Sequence, residues 1–274
     1  DVVEAGDVDQ IFYDSQEPYT RRLLSLIPRL PEYAMADMVG EPVPAVAAKT
    51  TAPVQSTAHA PEHDVVIQAD GLEKHFPLAV DFWGRPAAVL KAVDGVSFAI
   101  RRGETFGLVG ESGSGKSTVA RTILRAYDPT GGSVQFRSPD GALHQLVGME
   151  KGPLRDMRRH MQMVFQDPYS SLNARMTVEQ LIGEPMVNLG ETDRALIQHR
   201  AAELLVKVGL SPDMLSRYPH AFSGGQRQRI GIARALITNP SFVVLDESVS
   251  ALDVSVAAQT IDLLKQLQDD LGLT

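Results

Sequence analysis

Gly110-Glu111-Ser112-Gly113-Ser114-Gly115-Lys116-Ser117-Thr118 decides the reading of this chain, because it fits the pattern G-x-x-x-x-G-K-[ST]. A loop of this kind suits a polyphosphate. Its glycines let main-chain N–H groups approach several negative charges and supply positive-φ turns that other residues resist. A helix beginning directly after the loop adds the partial positive charge of its N-terminus. In that arrangement Lys116 reaches the β and γ phosphates of ATP, and the Ser117 hydroxyl ligates Mg²⁺. The flanks agree with it. Thr105-Phe106-Gly107-Leu108-Val109 reads as a short buried strand entering the loop, and Val119-Ala120-Arg121-Thr122-Ile123-Leu124 as the helix leaving it.

Composition narrows the class. With 274 residues the chain has room for one large or two small domains. No long uncharged apolar run is present, so a membrane role has to be peripheral. The absence of cysteine excludes disulfides, thiolate zinc sites and cysteine-held iron–sulfur clusters in this span. A net charge of −8 argues against nucleic acid as the main partner. The start, Asp1-Val2-Val3-Glu4, is acidic, carries no signal-peptide pattern and lacks an initiator Met, which suggests a fragment.

Three stretches differ in character. Within residues 1–38, Leu23, Leu24 and Ile27 share a helical face and predict a short helix closed by Pro28. Residues 39–63 are rich in Pro, Ala, Thr and Val, with Pro42, Pro44, Pro53 and Pro61 opposing regular structure, and read as an extended linker. The globular part runs over residues 64–274. There Val65-Val66-Ile67 and Gly95 to Ile100 predict strands, the latter with Val96, Phe98 and Ile100 on one buried face and a turn at Arg102-Gly103. Met161 to Phe165 and Phe242 to Leu245 read as central parallel strands, and residues 176–218 mostly as helix.

Two further motifs bear on phosphate chemistry. The strand Val243-Val244-Leu245 delivers Asp246, a carboxylate suited to holding Mg²⁺ through its water shell; Glu247 follows, placed to take a proton from an attacking water. Read alone, an Asp-Glu pair at a strand end equally caps the next element. Ser223-Gly224-Gly225-Gln226 opens a helix with Ile230, Ala233 and Ile237 on its apolar face, and such an end is a second phosphate cradle. Two cradles in one chain make sense if two copies meet, each closing over the other's nucleotide. The plain alternative is a Ser N-cap followed by flexible glycines.

The order of these motifs resembles ABC-type ATPases: the phosphate loop, Gln166 in Val164-Phe165-Gln166-Asp167-Pro168, Ser223-Gly224-Gly225-Gln226, Asp246-Glu247, then Ser250-Ala251-Leu252-Asp253. Gln166 to Asn173 and Val249 to Ser255 are similar to the wording of the ATP-binding subunits of oligopeptide, dipeptide and nickel importers. The resemblance covers about residues 65–274. It implies that Gly110 to Thr118 bind ATP phosphates and that Ser117, Gln166 and Asp246 serve Mg²⁺. It further makes Glu247 the catalytic base and Gln166 the sensor of the γ-phosphate and of the membrane subunits. Ser223, Gly224, Gly225 and Gln226 then contact ATP held by a partner domain, with Asp253 at the dimer interface. For the aromatic that stacks on adenine, Phe76, Phe82 and Trp83 all remain candidates. Ser248 stands where many relatives have Pro or a small residue, a change of little consequence. His220 reads as a helix-end or surface residue.

The resemblance also gives residues 1–38 a meaning. Val3-Glu4-Ala5-Gly6 and Pro18-Tyr19-Thr20-Arg21 resemble the tail that follows the nucleotide-binding domain in this subfamily, which implies a tandem of two such domains. The expected fold is α/β: a P-loop NTPase of the ABC type, with an antiparallel β subdomain and a helical subdomain. The expected function is ATP hydrolysis energising import of peptides or related small solutes from the cytoplasmic face of the inner membrane. Expected partners are a second ATPase domain, transmembrane permease subunits and, indirectly, an extracytoplasmic solute-binding protein. The alternative is the ATP-binding component of a soluble phosphonate-degrading complex or another ABC ATPase outside transport. The family places a strand ending in a switch His after the last helix, and none of the seven His stands there. This span alone is therefore expected to turn over ATP weakly, and robust cooperative phosphate release from it would contradict the expectation.

Overall fold

Alternation of apolar and polar residues from Val65 onward produces long antiparallel strands. The computed structural model describes residues 64–80, 86–165, 172–246 and 254–274. The expected tail (1–38) and linker (39–63) lie outside the described residues, as do Phe82, Trp83, Gln166, Glu247 and Asp253. Strands β1 (Val65–Val80) and β2 (Pro86–Arg101) pair antiparallel, and the strands predicted at 65–67 and 95–100 are parts of them. β1 also pairs with β3 (Gly131–Arg137), which pairs with β4 (Leu143–Gln145), giving the order β2-β1-β3-β4. The period-2 pattern holds on β2: Ile100 is buried, Val96 and Phe98 half-buried, Ser97 and Ala99 exposed. Among the described residues this is the larger sheet, and a short turn at 138–142 joins its antiparallel strands β3 and β4.

The second layer is a parallel pair. Helix α1 (Lys116–Ile123) follows the phosphate loop, and helix α2 (Lys151–Arg158) leads into β5 (Met161–Val164). β5 pairs in parallel with β6 (Phe242–Leu245), in register from Met161 opposite Phe242 to Val164 opposite Leu245. Val119 and Ile123 of α1 share a core with Val66, Ile67 and Phe136 of the antiparallel sheet and with Met161 and Phe242 of the parallel pair. The helix is thereby wedged between two sheets.

Helices α3 (Val178–Asn188), α4 (Arg194–Lys207) and α5 (Gly224–Leu236) form the helical part, with short 3₁₀ turns at Pro212–Ser216 and Pro219–Ala221. Their starts are written in the sequence. Thr177 Oγ1 accepts from Gln180 N (3.3 Å) while Gln180 Oε1 accepts from Thr177 N (2.9 Å), a reciprocal cap. Asp193 Oδ1 accepts from the amides of Ala195 (2.9 Å) and Leu196 (3.1 Å) at the head of α4. α3 and α4 approach closely at Gly183, where a Cβ would sit 2.4 Å from Ile197 Cγ2. Arg234 of α5 donates to Glu184 of α3 at 2.7 Å. Leu181, Leu205 and Ile230 close the core between them, joined by Leu263 and Leu267 of α6 (Val254–Leu271). No helix among the described residues is long and apolar enough to cross a membrane.

One expected element is corrected. Residues 105–109 do not form a buried strand: the segment has no strand assignment, and Phe106, Leu108 and Val109 are exposed. A strand needs a neighbour for its N–H and C=O groups, and among the described residues none pairs with it. A cleft of about 490 Å³, lined by Phe106 and Leu108 on one side and Val243, Val244 and Leu245 on the other, separates it from β6. At the foot of that cleft the backbone turns beside β6. Thr274 N donates to Ser241 O (3.0 Å) and Val243 N donates to Thr274 O (2.8 Å). That alternation is a single parallel bridge on the β6 edge facing away from β5.

Ile230 has no exposed surface. Ile230→Ala is expected to lower stability by about 2–5 kcal/mol, read as a shift in the denaturant midpoint. Ile261→Ala, at a position 42% exposed, is expected to cost well under half as much.

Candidate functional site

Gly115 sets the geometry of the phosphate loop. It stands at the N-cap of α1 with φ 96, and a Cβ there would lie 2.1 Å from the Ala92 carbonyl oxygen on β2. Only glycine tolerates both that dihedral and that contact. The turn aims the free amides of the first turn of α1 into the exposed loop 110–114. Lys116 folds back over this loop, its Nζ donating to Gly110 O and Glu111 O at 2.7 Å each. An ammonium has three donors, and here two are held by carbonyls at the rim of the cradle.

β6 brings the acid. Asp246 directly follows Leu245, its amide donating to Val164 O (3.1 Å), so the parallel register of β5 and β6 fixes where it stands. Its side chain is 5% exposed. Ser117 Oγ donates to Asp246 Oδ1 at 2.6 Å, across 129 positions of sequence. Asp246 Oδ2 accepts from Arg121 Nη2 at 3.2 Å. Arg121 Nη1 in turn donates to Tyr127 Oη at 3.2 Å. That bond to Tyr127, ahead of the charge of Asp246, pushes the guanidinium pKa up further, so this cation stays charged at any pH of interest.

The structure therefore brings Lys116, Ser117 and Asp246 of the expected residues to one place, at the C-terminal edge of β5 and β6. Crevices at that edge are where open α/β sheets take ligands. Gln166 and Glu247 lie outside the described residues. Ser223 to Gln226 are not brought to this cradle: among the described residues no hydrogen bond joins them to residues 110–118. Instead they close a reciprocal cap, Ser223 Oγ accepting from Gln226 N (3.3 Å) and Gln226 Oε1 from Ser223 N (3.0 Å). The apolar face expected behind them is present, with Ile230, Ala233 and Ile237 buried. His220 is exposed in a 3₁₀ turn and stacks on Tyr218 (5.9 Å between ring centroids), a surface residue as expected. Phe76, the one adenine candidate within the described residues, meets Tyr127 edge-on at 5.5 Å.

Does this donor set fit Mg²⁺? No cluster of three or more His, Cys, Asp or Glu exists among the described residues. Mg²⁺ is usually held through one or two protein oxygens plus phosphates and water, not by an all-protein cage. A hydroxyl and a carboxylate 2.6 Å apart beside a phosphate loop match that requirement. Arg121 and Tyr127 were not singled out in the sequence. The signal was there for Arg121, which follows Ser117 by four positions and so shares its helix face; Tyr127 had none.

Comparison with known proteins gives the family. A family model described as ABC transporter matches residues 93–250. A probable peptide ABC transporter ATP-binding protein of Sinorhizobium fredii is 50% identical over 77% of this chain and 58% of its own length. The putative oligopeptide transport ATP-binding protein YkfD of Bacillus subtilis is 55% identical over 76% of this chain and 60% of its own. The glutathione import ATP-binding protein GsiA of Pectobacterium atrosepticum is 43% identical over 99% of this chain and 43% of its own. The chain thus spans about half the length of these relatives. Among solved structures, the ATP-binding cassette MJ0796, a dimer bound to ADP and Pi, superimposes with a TM-score of 0.63 at 28% identity. It covers 75% of this chain and 84% of that one. The chain belongs to the ABC transporter family and carries its ATP-binding domain, with the ABC ATPase fold.

Lys116→Ala is expected to reduce ATP binding below detection by calorimetry while leaving the melting temperature within a few degrees of wild type. Undiminished affinity would remove the cradle assigned here.

Proposed function

We propose that this chain is an ATP-binding and ATP-hydrolysing domain that energises import of peptides or related small solutes. The observation that carries the reading is the Ser117–Asp246 hydrogen bond of 2.6 Å, which joins the phosphate loop to the end of β6. In the proposed cycle Lys116 exchanges its carbonyl partners for β- and γ-phosphate oxygens. The loop amides and the head of α1 hold the remaining charge. Bound Mg²⁺ would offset charge on the β and γ oxygens. Ser117, Asp246 and Gln166 would hold it. Glu247 accepts a proton from water as its oxygen bonds to the γ-phosphorus and the bridging P–O bond breaks, leaving ADP and phosphate. Positioning supplies most of the rate.

Ser223, Gly224, Gly225 and Gln226 act on another copy's nucleotide in this reading. The lack, among the described residues, of any hydrogen bond between them and residues 110–118 supports it, as does the neighbour MJ0796, solved as a dimer with ADP and Pi. Gly224 and Gly225 follow Ser223 at the head of α5, and a helix start of this kind can take a facing phosphate. Ser223 then serves twice, as helix cap and as phosphate contact.

The relatives named above are peptide, oligopeptide and glutathione import or transport ATP-binding proteins. They favour an importer over a soluble phosphonate-degrading complex. On this basis the domain sits peripherally at the cytoplasmic face of the membrane, docked through its helical part on permease subunits, with a solute-binding protein acting outside. We read residues 1–38 as the tail of a preceding ATPase domain and 39–63 as the linker to 64–274. The match with GsiA runs over 99% of this chain yet 43% of that protein, which leaves length for a second domain. The apolar cleft beside β6, entered at Thr274, has the form of a slot for one more parallel strand, in keeping with the expected switch strand.

Glu247→Gln is expected to keep ATP affinity within about twofold, cut turnover by a factor of roughly 100 or more, and trap an ATP-dependent dimer seen by light scattering. Turnover at the wild-type rate would remove Glu247 as the base. A strictly monomeric, ATP-loaded variant would remove the shared-nucleotide reading.

A further inference from the structure

Asp246 is held at both oxygens, and the second holder belongs to no nucleotide-binding motif. Arg121 lies one helical turn beyond Ser117 on α1, so both side chains leave the same face toward the end of β6. Ser117 takes Oδ1 (2.6 Å) and Arg121 takes Oδ2 (3.2 Å). A carboxylate gripped at one oxygen can still swing about its Cβ–Cγ bond; gripped at both, it has one orientation. Arg121 is itself braced. Its other terminal nitrogen donates to Tyr127 Oη (3.2 Å), the guanidinium carbon lies 5.9 Å from the Tyr127 ring centre, and Tyr127 rests edge-on against Phe76 of β1. Lys74, on the same strand, reaches over the Phe76 ring (4.9 Å) and donates to Asp128 O (2.7 Å). The brace therefore runs from the antiparallel sheet through two aromatic rings to a single carboxylate.

We infer that Arg121, braced by Tyr127, is a positioning residue for the metal site: it fixes Asp246 so that Oδ1 faces Ser117 and is ready for a Mg²⁺-bound water. The inference rests on the ATP and Mg²⁺ reading above and assigns its geometry to a residue outside the motifs. Were Ser117 to serve the metal, Oδ1 would be freed while Oδ2 stays on Arg121. The acid then needs no reorientation. Two effects of removing Arg121 compete. Losing a nearby positive charge favours a cation, but the Arg121 side chain is 36% exposed and its charge screened, which holds this to a few-fold. Losing the orientation of a carboxylate that is 5% exposed is the larger effect, since partners that orient metal-site side chains commonly govern affinity about 10–100-fold. Orientation wins.

The test is calorimetric titration of a non-hydrolysable ATP analogue into the full chain at a series of Mg²⁺ concentrations and in excess EDTA. Wild type is expected to bind more tightly as Mg²⁺ is added. Arg121→Gln should raise the Mg²⁺ concentration for half-maximal tightening about tenfold, and Arg121→Lys by less. Tyr127→Phe, which removes one hydroxyl and keeps the ring, should raise it a few-fold. Affinity in EDTA should stay unchanged in all three, because Lys116 and the loop amides are untouched. Three results overturn the inference: an unchanged Mg²⁺ midpoint in Arg121→Gln, a lowered midpoint, or an equal loss in EDTA and Mg²⁺, which marks a structural role only. Failure of the underlying reading looks different: wild type itself would show no Mg²⁺ effect.

Discussion

The hydrogen bond between Ser117 and Asp246 is the contact on which the site depends, because it is where two separately folded pieces of chain must agree. Ser117 is placed by the left-handed turn at Gly115 and the start of α1. Asp246 is placed by the parallel register of β6 on β5. Neither placement is local to the other. The core that Val119 and Ile123 share with Phe136, Met161 and Phe242 sets the separation between them. Interiors of this kind pack too densely to absorb an ångström of error. A metal held by one hydroxyl and one carboxylate needs just that sort of fixed spacing.

Lys116 shows the other half of the design. An ammonium has three donors to satisfy. The carbonyls of Gly110 and Glu111 occupy it, at 2.7 Å each. Those bonds are exposed and therefore cheap to exchange, since a surface hydrogen bond contributes only about 1 kcal/mol net. The trade for charged phosphate oxygens is downhill. By contrast Asp246 is 5% exposed and is gripped by two donors. The site thus pairs a cation held by exposed bonds with an acid held in a buried position.

The sequence made most of this legible where chemistry is tied to local pattern. The phosphate loop, the cap at Ser223, the apolar strand ahead of Asp246 and the period-2 face of β2 all rest on spacings of a few residues, and all are present. Reciprocal caps at Thr177 and Ser223 follow from side chains three positions apart. What the sequence did not disclose is the assembly of remote groups. That Arg121 grips the acid, that Tyr127 braces Arg121, and that Phe76 backs Tyr127 depend on tertiary placement, which no window of residues encodes.

The segment 105–109 makes the same distinction from the opposite side. Its residues have strand character, and apolar side chains at Phe106, Leu108 and Val109 suit a buried central position. Yet β structure is a property of pairs, and a single segment cannot satisfy its own N–H and C=O groups. β6 lies across a cleft of about 490 Å³, too far for direct pairing, and among the described residues the backbone bridge on that edge of β6 is made by Thr274. The expected buried strand is therefore not formed, and no partner pairs with the segment among the described residues. Both lips of the cleft are apolar, and the bridge at its foot already runs parallel to β6. In the reading proposed above, an extended strand entering there would pair with β6 on one side and with 105–109 on the other. It would also carry its far end toward Lys116 and Asp246, which line the same cleft. The exposed apolar residues beside the phosphate loop are thus explained by geometry: they form one wall of a slot whose other wall is the strand that delivers the acid.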